Sequence, residues 1–346
     1  MLVPTVPNYK NIKKYLKKID RSRTYSNFGP LNRSLISRAS EYLSIREELI
    51  QTCSNATLAI EGAVRTSGAK DNFWELPSWT FAATAAALLN SNSKGKFVDV
   101  DASTWRANFS SDAINVLDVL PFGDDLDLSR IPSRAGKIVI DAAASIHALE
   151  NCRLEFQKPI ALIISLHATK SLPAGEGALF VTNNPEWSEH FRRWTNFGFD
   201  DNRTPTLIGT NAKMSEYSAA VALASFDSLK SVRHRMLELG ERVRNVSQDM
   251  GLEVHPGLKK GLSTPYWILK TKNEKSRDAI QSRLQKNSIM CRRWWGTGCH
   301  NQSVFGDISR NSLEITERLS RTTIGLPFHL DLGKKEIERI VRCLSD

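Results

Sequence analysis

Short β-branched runs trade places with helical stretches through the first two thirds of the chain, and few folds accommodate that alternation. Residues 54–66 read as helix, 73–77 as strand, 80–89 as helix and 96–100 as strand. Further strands are expected at 113–120, 137–140, 160–165 and 177–181, followed by a helix at 186–195. Such a pattern predicts an α/β fold in which a mostly parallel sheet is covered by helices on both faces. From about residue 225 the character changes to a long charged helix, 227–250, and then to strand-like 252–255, 265–270 and 289–293 interleaved with helices. The expected organisation is a large domain, 1–230, that includes an N-terminal helix, and a smaller C-terminal α+β domain, 231–346. A chain of 346 residues, 41% hydrophobic and 24% charged, is long enough for both.

Sheets of this class bind ligands at the carboxyl ends of their strands. Two side chains expected there carry chemistry. The run KIVID ends in Asp141, with the small residues Ala142, Ala143 and Ala144 behind it. The run ending at Ser165 leads into SLHATKSLPAGEGALF, which puts Lys170 on a turn before a glycine-rich bend. A buried lysine after a strand can present a free amine to an aldehyde, because desolvation disfavours the ammonium. A carboxylate at one strand end and a lysine beyond the next are the protein groups that pyridoxal phosphate (PLP) requires, one for its ring nitrogen and one for its aldehyde. Taken singly, Asp141 also reads as a helix cap and Lys170 as a surface lysine. Ser54, Asn55 and Thr57 read as caps too. The sequence holds no P-loop, GxGxxG or GxSxG, which argues against nucleotide hydrolysis, a Rossmann site and a serine hydrolase.

The segments YSNFGPL, SNATLAIEGA, PSWTFAATAAAL, FVDVDASTW, IDAAAS, SLHATK with GEGALF, GTNAKMSEYSAAVAL and a late RRWW followed by CH occur in one order along the chain. In that order they resemble the DegT/DnrJ family of PLP-dependent sugar aminotransferases, from about residue 20 to the end. The resemblance implies a fold-type-I, aspartate aminotransferase-like PLP-dependent transferase. It implies that Lys170 holds the cofactor and moves the substrate proton, and that Asp141 pairs with the ring nitrogen. Ala56 and Thr57 match a phosphate-binding pair in which the family has glycine first, and Ser165 matches a phosphate-binding serine. Asn211 matches an asparagine that reaches the phosphate from a neighbouring subunit, which implies a homodimer with shared active sites. Phe81 matches the aromatic that stacks on the ring, whereas Trp79 reads as packing. Ala144 departs from the family, which has glutamine or histidine there near the phenolic oxygen.

For substrate, the resemblance points to His167, and to Arg292, Trp294 and His300 in the late segment that also holds Arg293 and Trp295. Two adjacent tryptophans read equally as a plug between domains. The implied reaction moves an amino group from an amino acid, L-glutamate, to a nucleotide-linked keto-6-deoxy sugar such as a thymidine diphosphate 4-keto- or 3-keto-hexose. Lys170 argues against the dehydratase branch, which replaces this lysine. The alternative is a non-catalytic regulator or anion-binding assembly protein on the same fold.

No apolar run reaches the ~18 residues of a membrane span, and the N-terminus lacks a signal peptide's apolar centre, so a cytoplasmic protein is expected. Five cysteines without a CxxC pair read as reduced thiols, and Cys291, Cys299 and His300 lack the second ligand pair of a metal site. The net charge of +10 is densest at residues 10–23. There Tyr9, Ile12, Leu16 and Ile19 recur at helical spacing, which makes the lysines the wet face of an amphipathic helix rather than a nucleic-acid arm. A basic balance also suits a diphosphate substrate.

Overall fold

The structure, a computed structural model, describes residues 3–69 and 72–345. Strands β1 (Ile50–Cys53), β2 (Phe73–Pro77), β3 (Lys94–Val98), β4 (Asn115–Val119), β5 (Lys137–Asp141), β6 (Ile160–Ser165) and β7 (Ala178–Thr182) precede the long helix Leu229–Asp249. After it come β8 (Glu253–Val254), β9 (Trp267–Lys270), β10 (Ser309–Arg310) and β11 (Thr323–Leu326). The main sheet runs β1-β7-β6-β5-β4-β2-β3-β10. In it β7 is antiparallel to both neighbours and every other pair is parallel.

The central strands are apolar throughout because helices cover both of their faces. Side chains alternate across the pleat. Thus Ile138, Ile140, Leu162 and Ile164 enter one core while Val139, Ala161 and Ile163 enter the other. The helix Ala56–Thr66 packs in the second core and starts two residues later than expected, because Asn55 caps it by accepting the Leu58 N–H at 2.9 Å. Tyr9–Ser22 is helical, with Ile12, Tyr15, Leu16 and Ile19 facing the first core. Tyr9, expected on that stripe, is exposed.

A buried carboxylate organises the same side of the sheet. Glu216 accepts the backbone N–H groups of Leu31 (2.7 Å) and Asn32 (2.8 Å) at the start of the helix Pro30–Leu43. Negative charge at a helix N-terminus is stabilising. Gly29 occupies the N-cap because a Cβ there would lie 2.6 Å from the Glu216 carboxyl carbon.

The second sheet, β11-β9-β8, is antiparallel. Trp267, Leu269, Ile324 and Ile340 form its core with the helices Leu229–Asp249, Glu274–Lys286 and Lys334–Leu344. The strand expected at 289–293 is reduced to a single bridge between Arg292 and Gly325, since Trp294 turns in over Gly325 and the chain leaves the sheet. Beyond it the chain crosses back to the main sheet. There β10 pairs with β3, and Cys299, Phe305, Ile308 and Leu313 join the second core. Asp99 ties this return down by accepting the Ile315 and Thr316 N–H groups, each at 2.8 Å, at the start of the helix Glu314–Thr322. All five cysteines are free. Among the described residues no helix is long and apolar enough to cross a membrane.

Two buried histidines set an acid limit on this fold. Burial pushes the pKa of His255 down to about 4, and burial with the nearby Arg233 charge does the same to His147. In the unfolded chain each titrates near ~6.5. As pH falls through that value the unfolded state takes up protons that the folded state refuses, so stability is full above it and declines towards pH 4. The urea midpoint should therefore drop between pH 7 and pH 5. A flat midpoint over that interval would contradict the assignment.

Candidate active site

A cavity of about 1340 Å³ lies between the carboxyl ends of the main-sheet strands and the second sheet. Typical small-molecule pockets span ~300–1,000 Å³, so this one has room for a cofactor and a bulky substrate together. The strand ends supply Val119, Asp141 and Ser165, and the loops beyond them Phe122, His167 and Lys170. Tyr266, Trp267, Arg292, Trp294 and Leu326 close the opposite wall.

Asp141 ends β5 and is buried. Its Oδ2 accepts the Thr84 hydroxyl at 2.8 Å and its Oδ1 the Ala143 N–H at 3.1 Å. Burial pushes its pKa above the ordinary carboxylate value, while the Thr84 hydroxyl, the Ala143 N–H and the Lys170 charge pull the other way. A cation fixed opposite would offset that burial, and a protonated pyridine nitrogen is such a group. Thr84 is itself set by Thr80, whose hydroxyl lies 2.8 Å away. Because the Thr84 proton goes to Asp141, Thr80 must be the donor in that pair.

Lys170 stands in the bend after β6 and is half-buried, not fully buried as the sequence suggests. The turn that carries it keeps the amine open to the cavity, with Nζ donating to the Tyr266 hydroxyl at 3.1 Å. Next to it, His167 Nδ1 lies 2.9 Å from the Thr169 hydroxyl and Nε2 lies 3.7 Å from Glu176.

An anion would find donors at the other end of the cavity. Ala56 and Thr57 open the helix Ala56–Thr66, and the first N–H groups of a helix have no partner within it. Ser165, buried at the end of β6, accepts the His167 N–H at 3.2 Å and keeps its own proton to donate. Phe81 precedes the helix Ala82–Asn90 in extended conformation and is 61% exposed while lining the cavity, where a flat ring could cover it. The wall thus offers a carboxylate, an amine, an anion-binding helix start and an open aromatic face. These fit the ring nitrogen, aldehyde, phosphate and ring of PLP in turn.

On the far wall Arg292 lies over Trp294, its guanidinium carbon 4.8 Å from the ring centroid. Trp294 meets Tyr266 edge-on at 5.3 Å. Trp295 stacks on Phe122 at 4.3 Å and 8°. Trp79 is buried against Trp105 and Trp295, as packing. Phe122 holds this position in left-handed backbone, φ 57°, a conformation costing ~1–2 kcal/mol that packing must offset. Ala144 also lines the cavity and supplies no side-chain donor there.

Two of the expected residues are not on the cavity wall. Asn211 is exposed, in a bridge with Asn196. His300 is buried behind the wall, its Nδ1 2.6 Å from the Ser78 hydroxyl. Conversely, Tyr266 and Phe122 line the cavity and Thr84 holds Asp141 with no signal in the sequence for these roles. Tyr266 sits in the run TPYWILK, which signals only a strand, and Thr84 in the alanine-rich FAATAAAL, which signals only a helix.

Gly325 makes room for this wall. A Cβ there would lie 2.2 Å from Trp294 Nε1 and 2.5 Å from its Cδ1. Gly325→Ala should displace the indole and cost ~1–3 kcal/mol of stability, as overpacking does. Denaturant melts and tryptophan fluorescence would register both effects, and unchanged values would argue against this packing.

The fold is that of PLP-dependent aminotransferases. It matches a DegT DnrJ EryC1 StrS aminotransferase from Brucella abortus with a TM-score of 0.85 over 97% of this chain and 94% of that one, at 23% identity. The chain belongs to the DegT/DnrJ/EryC1/StrS aminotransferase family, whose model matches residues 8–345. Its relatives include the dTDP-4-amino-4,6-dideoxy-D-glucose transaminase of Shigella dysenteriae, 25% identical over 99% of this chain and 97% of that protein. Among solved structures it is similar to DesI, analysed in the presence of its TDP-sugar product, with a TM-score of 0.87, 27% identity and coverage of 99% and 90%.

Proposed function

We propose that this protein is a PLP-dependent aminotransferase that moves the amino group of L-glutamate onto a nucleotide-linked keto-6-deoxy sugar, such as a thymidine diphosphate 4-keto- or 3-keto-hexose. The observation that carries this is the opening of Asp141, at the end of β5, and Lys170, in the bend beyond the adjacent parallel β6, onto one large cavity. Bound there, PLP would supply an aldehyde to carry the amino group and a ring to take up the electrons released at the substrate carbon.

The chain's own groups supply the rest. Lys170 Nζ would hold the aldehyde and, once free, would take the proton from the donor's Cα and deliver it to the former aldehyde carbon. Asp141, held by Thr84 and the Ala143 N–H, keeps the ring nitrogen protonated. The start of the helix Ala56–Thr66, with Thr57 and Ser165, takes the phosphate, and Phe81 covers the ring. Arg292 suits a pyrophosphate or the donor's carboxylate, since its fork donates two parallel hydrogen bonds, and Trp294 and His167 line the sugar's approach. His300, bonded to Ser78 behind the wall, would support that wall rather than touch the substrate.

On this reading residues 1–230 bind the cofactor and 231–346 close the substrate side. The exposed Asn211 serves the site of a second copy, so the working form is a cytoplasmic homodimer. The rival, a regulator without catalysis, is tested by absorbance. Protein supplied with PLP should show a visible band that shifts on adding glutamate. Thymidine-, GDP- and UDP-linked keto sugars should then be compared by 2-oxoglutarate release. A silent spectrum would favour the regulator, and a shifting band with no accepted sugar would overturn the substrate class alone.

A further inference from the structure

We infer that Tyr266 is a positioning residue for the Lys170 amine, linking the second sheet to the reacting nitrogen. The inference rests on Lys170 being the residue that holds the cofactor. Tyr266 immediately precedes β9, far in sequence from the bend after β6, yet its hydroxyl lies 3.1 Å from Lys170 Nζ. An ammonium has donors and no acceptor, whereas a phenol hydroxyl can accept from an ammonium or donate to a free amine. Tyr266 can therefore hold this nitrogen in either protonation state. Lys170 Nζ also sits 5.8 Å from the Tyr266 ring centroid, within cation–π range.

The hydroxyl is aimed by packing. Tyr266 is 7% exposed, and its ring is gripped edge-on by Phe122 (5.6 Å, 71°) and Trp294 (5.3 Å, 85°). Phe122 is in turn stacked under Trp295. Few rotamers are open to a ring held in this way, so the oxygen stays at one place above the lysine. A lysine otherwise searches many rotamers on a four-carbon stem. Tethering its tip keeps the amine near the reacting carbon each time it is set free, which is a gain in orientation rather than in chemistry.

The test compares wild-type protein with Tyr266→Phe, which removes one oxygen and keeps the ring. In PLP-loaded wild type, borohydride trapping and peptide mapping should find the label on Lys170. A label elsewhere would overturn the parent reading, independently of Tyr266. In cofactor-free protein, labelling of Lys170 by an amine-directed reagent at fixed pH, quantified on the same peptide, should be about three- to tenfold faster in Tyr266→Phe, as expected from the loss of one hydrogen bond. The pH dependence of the visible band in loaded enzyme should also move, and kcat should fall about tenfold with KM for the sugar nucleotide nearly unchanged. A merely structural tyrosine would move neither the labelling rate nor the band. Equal labelling rates and superimposable band titrations would refute the inference. Should Tyr266→Phe not fold, 3-fluorotyrosine incorporation alters the phenol's acidity without altering its packing. An unchanged Lys170 labelling rate there would count equally against it.

Discussion

Lys170→Ala should abolish turnover, with no measurable 2-oxoglutarate release above background, while the protein still folds. The side chain is half-buried and leaves a bend, so its removal opens no core cavity. What disappears is the only amine on the cavity wall among the described residues, and with it, on the proposed function, both the covalent hold on the cofactor and the base that moves the Cα proton. Some PLP should remain if Thr57 and Ser165 take its phosphate as proposed, visible as a band near that of the free aldehyde and unreactive to borohydride trapping on this protein. Retention of full activity would refute the assignment outright. Added small amines offer a second reading, because a diffusible base should restore a little activity if proton transfer is part of what was lost.

Asp141→Asn should be nearly as severe, though by a different route. The amide is close in shape: its one oxygen can accept the Ala143 N–H while its NH2 donates to the Thr84 hydroxyl, which can turn its own proton to Thr80, so structure is preserved. It carries no charge, and on the proposed function the ring nitrogen then loses the partner that would keep it protonated. Since each ~1.36 kcal/mol of barrier is tenfold in rate, a loss of at least about a hundredfold in kcat corresponds to ~2.7 kcal/mol or more. The cofactor-free variant should be no less stable than wild type at neutral pH. Burial raises the Asp141 pKa, so ionising this carboxyl in the fold carries a cost that is full above its raised folded value and is relieved as pH falls from there to its unfolded value. Rate measurements and urea melts on one preparation test both halves. Wild-type turnover by the variant would show that Asp141 does not govern the ring.

Much of this architecture is legible in the sequence where burial is two-sided or where a motif names its own chemistry. The run at 160–165 is read correctly because a strand covered on both faces is apolar without interruption. The places of Asp141 and Lys170 on the cavity are legible because the first closes a strand before small residues and the second follows a strand just before a glycine-rich bend. Helix starts are misjudged by a residue or two, as at 54–66 and 80–89, because caps such as Asn55 share the composition of what they cap. Contacts between distant elements are the part that stays hidden. Nothing near Glu216 announces that it caps a helix beginning at Pro30, and nothing in TPYWILK announces a contact with Lys170. The expected strand at 289–293 fails for the same reason, since Trp294 and Gly325 decide its course and lie outside it.

The pairing of β10 with β3 bears on how the molecule is made. β10 leaves the ribosome only after β8 and β9 of the second sheet, so until then the nascent chain carries an unmated margin at β3. A chain cut before β8 would carry that margin permanently and should self-associate, whereas in the folded protein β10 seals it.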